Sequence, residues 1–239
     1  MKRRTLLTAL ALSGCARSQV TTTQSPRVGR LPPPTFVVVT DFTLPPDHVQ
    51  LDSGIGARLE REAKGEQPAA AQAAAARATR ETLTSWLAAT LAGYGLPVER
   101  LPVQAVPPHG SVLVQGQIVA LDEGNRTRRT VVGLGAGESR LHADVQLYDT
   151  ADPRHPWLLR SFTGTAGSGR MPGAAGTMGI GAVAGHVATS VAASGAAHAG
   201  AEMRQTPGTA LAQRLAQDLA RQIGAFAARE GWIAPDAVR

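Results

Sequence analysis

Arg140-Leu141-His142-Ala143-Asp144-Val145-Gln146-Leu147-Tyr148 alternates strictly between polar and apolar side chains. On an extended chain Leu141, Ala143, Val145 and Leu147 face one way, while Arg140, His142, Asp144 and Gln146 face the other. That period of two describes a half-buried strand in an antiparallel sheet with one wet face. Upstream, Ser111 to Leu121 (SVLVQGQIVAL) also favours strand. Downstream, the turn Asp152-Pro153-Arg154-His155-Pro156 leads into another strand, Trp157 to Gly164. The centre of the chain therefore reads as an antiparallel meander.

Working outward, Thr35-Phe36-Val37-Val38-Val39-Thr40 is a β-branched and aromatic run without polar alternation, the pattern of a buried strand. Pro45 and Pro46 end it. Residues 47–68 mix charges with three glycines and read as a mobile excursion. The alanine-rich run from Ala69 predicts a helix carrying Leu83, Trp86, Leu87, Leu91 and Tyr94 at helical spacing, closed by Gly93 or Gly95. Pro97 to Leu101 reads as a short strand. A second helix starts near Thr206, a capping residue, with Pro207 at its first position. Its stripe is Leu211, Leu215, Leu219, Ile223 and Phe226, and Gly231 suits its C-terminal cap. These elements predict one α+β domain over residues 35–232, an antiparallel sheet of about four to five strands packed with two main helices. Residues 233–239 read as a C-terminal tail.

Residues 164–205 form a Gly/Ala-rich insertion in that domain, uncharged between Arg170 and Glu202. Gly181, Gly185, Ala188 and Ala192 share a helical face, a spacing that permits close helix approach. Three readings stay open: membrane insertion, close packing on the body or on a second copy, and a flexible insertion. His186, Ser190, Ser194 and His198 weaken the first.

The N-terminus carries its own signal. Lys2, Arg3 and Arg4 precede a short apolar stretch, Thr5 to Leu12, too short to span a bilayer. Leu12-Ser13-Gly14-Cys15 follows and resembles a bacterial lipobox, which implies residues 1–14 as signal peptide and Cys15 as the lipid attachment point. Arg3-Arg4-Thr5-Leu6-Leu7 leaves general and twin-arginine export both open. Ala16, where an aspartate would resemble an inner-membrane retention signal, favours the outer membrane, facing the periplasm. Residues 15–34 then read as the lipidated cysteine and a flexible tether stiffened by Pro32, Pro33 and Pro34. Cys15 is the sole cysteine, so no disulfide framework exists.

Composition and motifs exclude several classes. The formal charge is +6, and removing Lys2, Arg3 and Arg4 leaves about +3. With three Trp, two Tyr and four Phe and no basic stripe, nucleic acid is not an expected partner. The six histidines show no metal-ligand spacing, and no nucleophile elbow occurs. Gly133-Leu134-Gly135-Ala136-Gly137 fails as a phosphate cradle because strand alternation, not a helix, resumes after it. Gly133, Gly135 and Gly137 are instead expected to bend a hairpin. No catalytic constellation is evident, and no cofactor or metal is expected.

The segment from Gly124-Asn125-Arg126 through Arg129 to the Gly133, Gly135 and Gly137 run, with a strand ending near Asp149, resembles a bacterial lipoprotein family, domain of unknown function 4410. The resemblance covers roughly Phe36 to Trp232 and implies architecture without an assigned activity. The order of elements is also similar to periplasmic domains of envelope assembly lipoproteins, such as those of curli secretion, Pel polysaccharide export and penicillin-binding-protein activation. The reading is a lipid-anchored, non-catalytic envelope accessory. Its expected contact surface is a hairpin bearing Asn125, Arg126, Arg128 and Arg129, facing an acidic protein or polymer. A solvated hairpin tip is the plainer reading of those arginines. The alternative function is an oligomeric or membrane-inserting secretion or pore component that uses the Gly/Ala-rich segment. Mass spectrometry of the mature protein is expected to find an acylated Cys15 at its N-terminus. An unprocessed Met1, or cleavage elsewhere, contradicts the lipobox.

Overall fold

The computed structural model describes residues 17–25, 30–132, 136–169 and 206–238. In chain order these form β1 (Arg17–Gln24), β2 (Val37–Thr40), β3 (Val49–Gln50), α1 (Ile55–Ala63), α2 (Pro68–Gly93) and β4 (Val98–Leu101). Then follow β5 (Val112–Asp122), α3 (Arg126–Val131), β6 (Arg140–Asp149), β7 (Trp157–Gly167) and α4 (Pro207–Glu230).

The alternating stretch at Leu141–Leu147 is β6, and it lies inside a seven-stranded sheet of order β1-β7-β6-β5-β2-β4, with β3 paired to β5. The pairs β5–β6, β6–β7 and β7–β1 are antiparallel. By contrast β2 runs parallel to both β4 and β5, and β3 runs parallel to β5. The sheet is therefore mixed and larger than the expected antiparallel sheet of four to five strands. The added strands are β1 and β3, and the mixed character comes from α2: a strand–helix–strand connection returns the chain to the same end of the sheet, so β2 and β4 are parallel.

The core forms where α2 and α4 pack against each other and against the sheet. Leu83, Leu87 and Leu91 of α2 are wholly buried, as are Leu215 and Leu219 of α4. They meet Val37, Val39, Val114, Val145, Leu147 and Phe162 from the strands. Trp86 does not join them and is 42% exposed, because one residue turns a helix by about 100° away from the Leu87 direction. Helix α4 begins and ends as its sequence implies. The Thr206 hydroxyl accepts from the Thr209 amide, Pro207 opens the first turn, and Gly231 caps the end at φ 80°. At Gly164 the helix approaches β7 closely, since a Cβ there would run into Leu215.

Two segments expected to be loose are built into the domain. Residues 17–24, expected as tether, form β1, paired along β7 from Arg17↔Gly167 to Val20↔Gly164. The run Val20-Thr21-Thr22-Thr23 is β-branched, which suits an edge strand, and Val20 packs on the core. Farther on, Leu31 donates its amide to the Glu230 carboxylate at 3.0 Å and accepts from the Trp232 indole at 3.2 Å. Residues 47–68, expected as a mobile excursion, contain β3 and α1. The Gly/Ala-rich stretch from 170 to 205 lies outside the described residues, as do Cys15, Gly133 and Gly135. No described helix is long and apolar enough to cross a membrane.

Leu87→Ala and Leu215→Ala are each expected to destabilise the protein by about 2–5 kcal/mol, the range for deleting a buried leucine side chain. Thermal or denaturant unfolding checks this, and an unchanged midpoint for both variants contradicts the core described here.

Candidate functional site

The connection from β5 to β6 was expected to be a glycine-bent hairpin. It holds a helical turn, α3, because Asn125 caps it: the Asn125 side chain accepts from the Arg128 amide at 2.8 Å. The Asn125 side-chain amide donates to Ser53 at 3.2 Å, so this residue anchors the connection rather than offering free donors. Gly124 and Gly137 both have positive φ, 71° and 75°. Their backbones cross so closely that a Cβ on Gly137 would collide with the Asn125 carbonyl oxygen. Gly137 thus serves a close backbone crossing, sealed by the Asn125 amide donating to its carbonyl at 3.1 Å.

The four expected contact residues divide by burial. Arg129 is 6% exposed. Its guanidinium donates to the Ser139 hydroxyl at 2.7 Å, the Gly137 carbonyl at 3.2 Å and the Glu123 carbonyl at 3.4 Å. Ser139 in turn donates to the Glu123 carbonyl at 2.7 Å. Arg129 is therefore a structural tie between the two ends of the connection, which corrects its assignment as a contact donor. Its long stem and five donors fit several buried carbonyls at once, which no short side chain does. Arg126 and Arg128 face outward. Arg126 stays close to Asp52, with its amide 3.2 Å from one carboxylate oxygen and Nε 3.9 Å from the other.

Asp52, buried, is the residue that the sequence reading passed over. The oxygen that accepts from Arg126 also accepts from the Gly54 amide at 2.8 Å, so one carboxylate ties the start of α1 to the start of α3. The Arg61 guanidinium donates to the Asp52 carbonyl at 2.8 Å. Asp52-Ser53-Gly54 just before an apolar residue is a turn signal that bears on this role. Beside it, burial pushes the Glu123 carboxyl above its ordinary value of 4.5, and the nearby Asp52 charge adds to the shift. The hydrogen bond from the Asp52 amide, with Arg61 and Arg126, opposes it.

Outside this lacing lies an open polar cleft of about 350 Å³, bordered by Ser53, Asp122, Asn125, Arg128, Glu138 and Arg140. Arg140 pairs with Glu138 at 3.4 Å, so the cleft carries both signs of charge, not a purely basic surface. Among the described residues no group of three or more His, Cys, Asp or Glu could hold a metal ion. The arrangement is suited to hydrogen bonding and ion pairing with a polar partner.

Arg129→Ala is expected to cost about 1.5–3 kcal/mol, since it removes hydrogen bonds from a buried charged group. Arg128→Ala is expected to stay within about 0.5 kcal/mol. Equal effects in denaturant unfolding contradict the division. For Glu123 the raised value means that the fold favours the protonated carboxyl. Its contribution to stability is full below 4.5 and is lost as pH rises through the raised value. Glu123→Gln is therefore expected to lose less stability than the wild type as pH rises from 4.5 through the raised value, read by unfolding at each pH. Parallel profiles contradict this.

No curated protein matches the chain. Among solved structures it is similar to the PelC dodecamer from Paraburkholderia phytofirmans, at 14% identity over 85% of this chain and 98% of that one, with a TM-score of 0.36. A single-substitution variant of that PelC matches at 14% identity and the same coverage, with a TM-score of 0.34. The family described as Domain of unknown function (DUF4410) matches residues 37–185, well over half the chain. The chain belongs to that family.

Proposed function

We propose that this protein is a lipid-anchored envelope protein, held on the outer membrane through Cys15 and acting as a non-catalytic binding or assembly accessory. The observation that carries the reading is the scaffolded α3 connection. Buried Arg129, Ser139 and Asp52 hold a six-residue helix in place, and Arg128 stands on its outer side beside the cleft. A connection between neighbouring strands needs no such buried support to close. A rigid backbone under exposed guanidinium groups lowers the entropy lost on binding, which suits recognition of carboxylates. The partner in this reading is an acidic segment of another envelope protein, or an acidic envelope polymer.

The test is the double variant Arg128→Ala with Arg140→Ala, expressed as the full chain and crosslinked in intact envelopes. Its melting temperature is expected to match the wild type, because both side chains are exposed. The crosslinked species formed by the wild type is expected to disappear. A stable double variant that keeps every crosslinked species contradicts this surface.

A further inference from the structure

One row of paired residues crosses the sheet at a single end: Arg17 of β1, Gly167 of β7, Arg140 of β6, Asp122 of β5 and Gln50 of β3. Helix α1 starts five residues after Gln50, and α3 starts four residues after Asp122. The two helices touch, with Gly54 against Thr127 and Asn125. Both expose large apolar side chains. Ile55 and Leu59 of α1 are 67% and 59% exposed, and Val131 and Val132 at the end of α3 are 53% and 50% exposed. Ile55 and Leu59 are four apart and share one face of α1. Helix α1 buries none of its residues, so this face serves no part of the described core.

Charge accompanies these side chains. Arg17 and Arg58 are exposed and form no ion pair among the described residues. The opposite end of the sheet also exposes apolar groups, Val106 and Trp157. There, however, the turn after β6 carries Asp149 and Asp152, and Asp152 holds His155 at 2.9 Å. Exposed apolar side chains with unpaired arginines on short surface helices are the features of an interfacial membrane contact.

We propose that α1 and the end of α3 dock on an anionic lipid surface, with Ile55, Leu59, Val131 and Val132 entering the headgroup boundary and Arg17 and Arg58 meeting lipid phosphates, while Arg128 is kept for the partner of the proposed function. This goes beyond the anchor reading, which it uses for one argument alone: Cys15 lies two residues before Arg17, so acyl chains on it bring this same end of the sheet to the membrane. A lipid anchor alone leaves the body free to rotate. A second contact fixes its orientation and sets which faces a partner in the periplasm meets.

The test uses the chain from residue 15 with Cys15→Ser, which keeps every described element and carries no acyl group. Its outcome is thus separate from whether Cys15 is lipidated, which mass spectrometry decides. Probes are vesicles of phosphatidylcholine alone and of phosphatidylcholine with phosphatidylglycerol, read by co-flotation. Binding is expected to the anionic vesicles, to weaken as salt is raised, and to fall at least about tenfold in Ile55→Ser with Leu59→Ser. Val131→Ser with Val132→Ser is expected to weaken it similarly, at unchanged melting temperature. Val106→Ser with Trp157→Ser, at the far end, is expected to bind as the parent does. The proposal is overturned if neither vesicle binds the parent chain, or if the far-end pair abolishes binding while the α1 pair does not. It is equally overturned if the α1 pair converts a dimer to a monomer without changing flotation, which would assign the face to a second copy.

Discussion

Strand β5 is the element on which the rest of the structure depends. Along one edge it bonds to β2 and β3 in parallel, and along the other to β6 in antiparallel register. That arrangement joins the strand–helix–strand half of the chain to the meander half. Its interior side chains, Val114, Ile118 and Leu121, lie in the same apolar cluster as α2 and α4. Its last residue, Asp122, opens directly onto the connection that carries α3. Core packing and site geometry thus share one strand, and displacement of β5 would disturb both.

The site is a second consequence of this position. The chain leaving β5 must travel to β6 through residues 123–139 without leaving buried polar groups unpaired. Arg129, Ser139 and the Glu123 carbonyl solve that problem beneath α3, while Asp52 solves it at the junction with α1. The polar atoms that stabilise the connection therefore differ from those that face solvent. Adjacent arginines in one short helix play opposite parts, Arg129 inward and Arg128 outward, because a helix turns about 100° per residue.

Much of the fold was legible from periodicity. The alternation in β6, the Leu83, Leu87 and Leu91 stripe, and the Thr206-Pro207 start and Gly231 end of α4 each express a strong local rule, and each appears in the structure. Parallel pairing was less legible, although Val37-Val38-Val39 already had the unbroken apolar run of a strand buried on both faces. What identified its neighbours was connectivity through α2, which strand-by-strand reading does not weigh. β1 was missed because its residues are polar, and an edge strand draws on backbone pairing more than on an apolar face. For the site, the sequence showed that Asn125, Arg126, Arg128 and Arg129 cluster, but not which of them turn inward. That depends on the Ser139 hydroxyl and the Glu123 and Gly137 carbonyls, which converge on Arg129 only once β6 lies beside β5.

The central claim is that the α3 connection is a fixed scaffold and not a pliant loop. Amide hydrogen exchange on the full chain tests it most directly. The account predicts that the amides of Ser53, Gly54, Asn125 and Arg126, each bonded within the lacing, exchange far more slowly than an unstructured chain. It also predicts that Arg129→Ala accelerates them while Arg128→Ala does not. Rapid exchange at all four in the wild type would contradict the account.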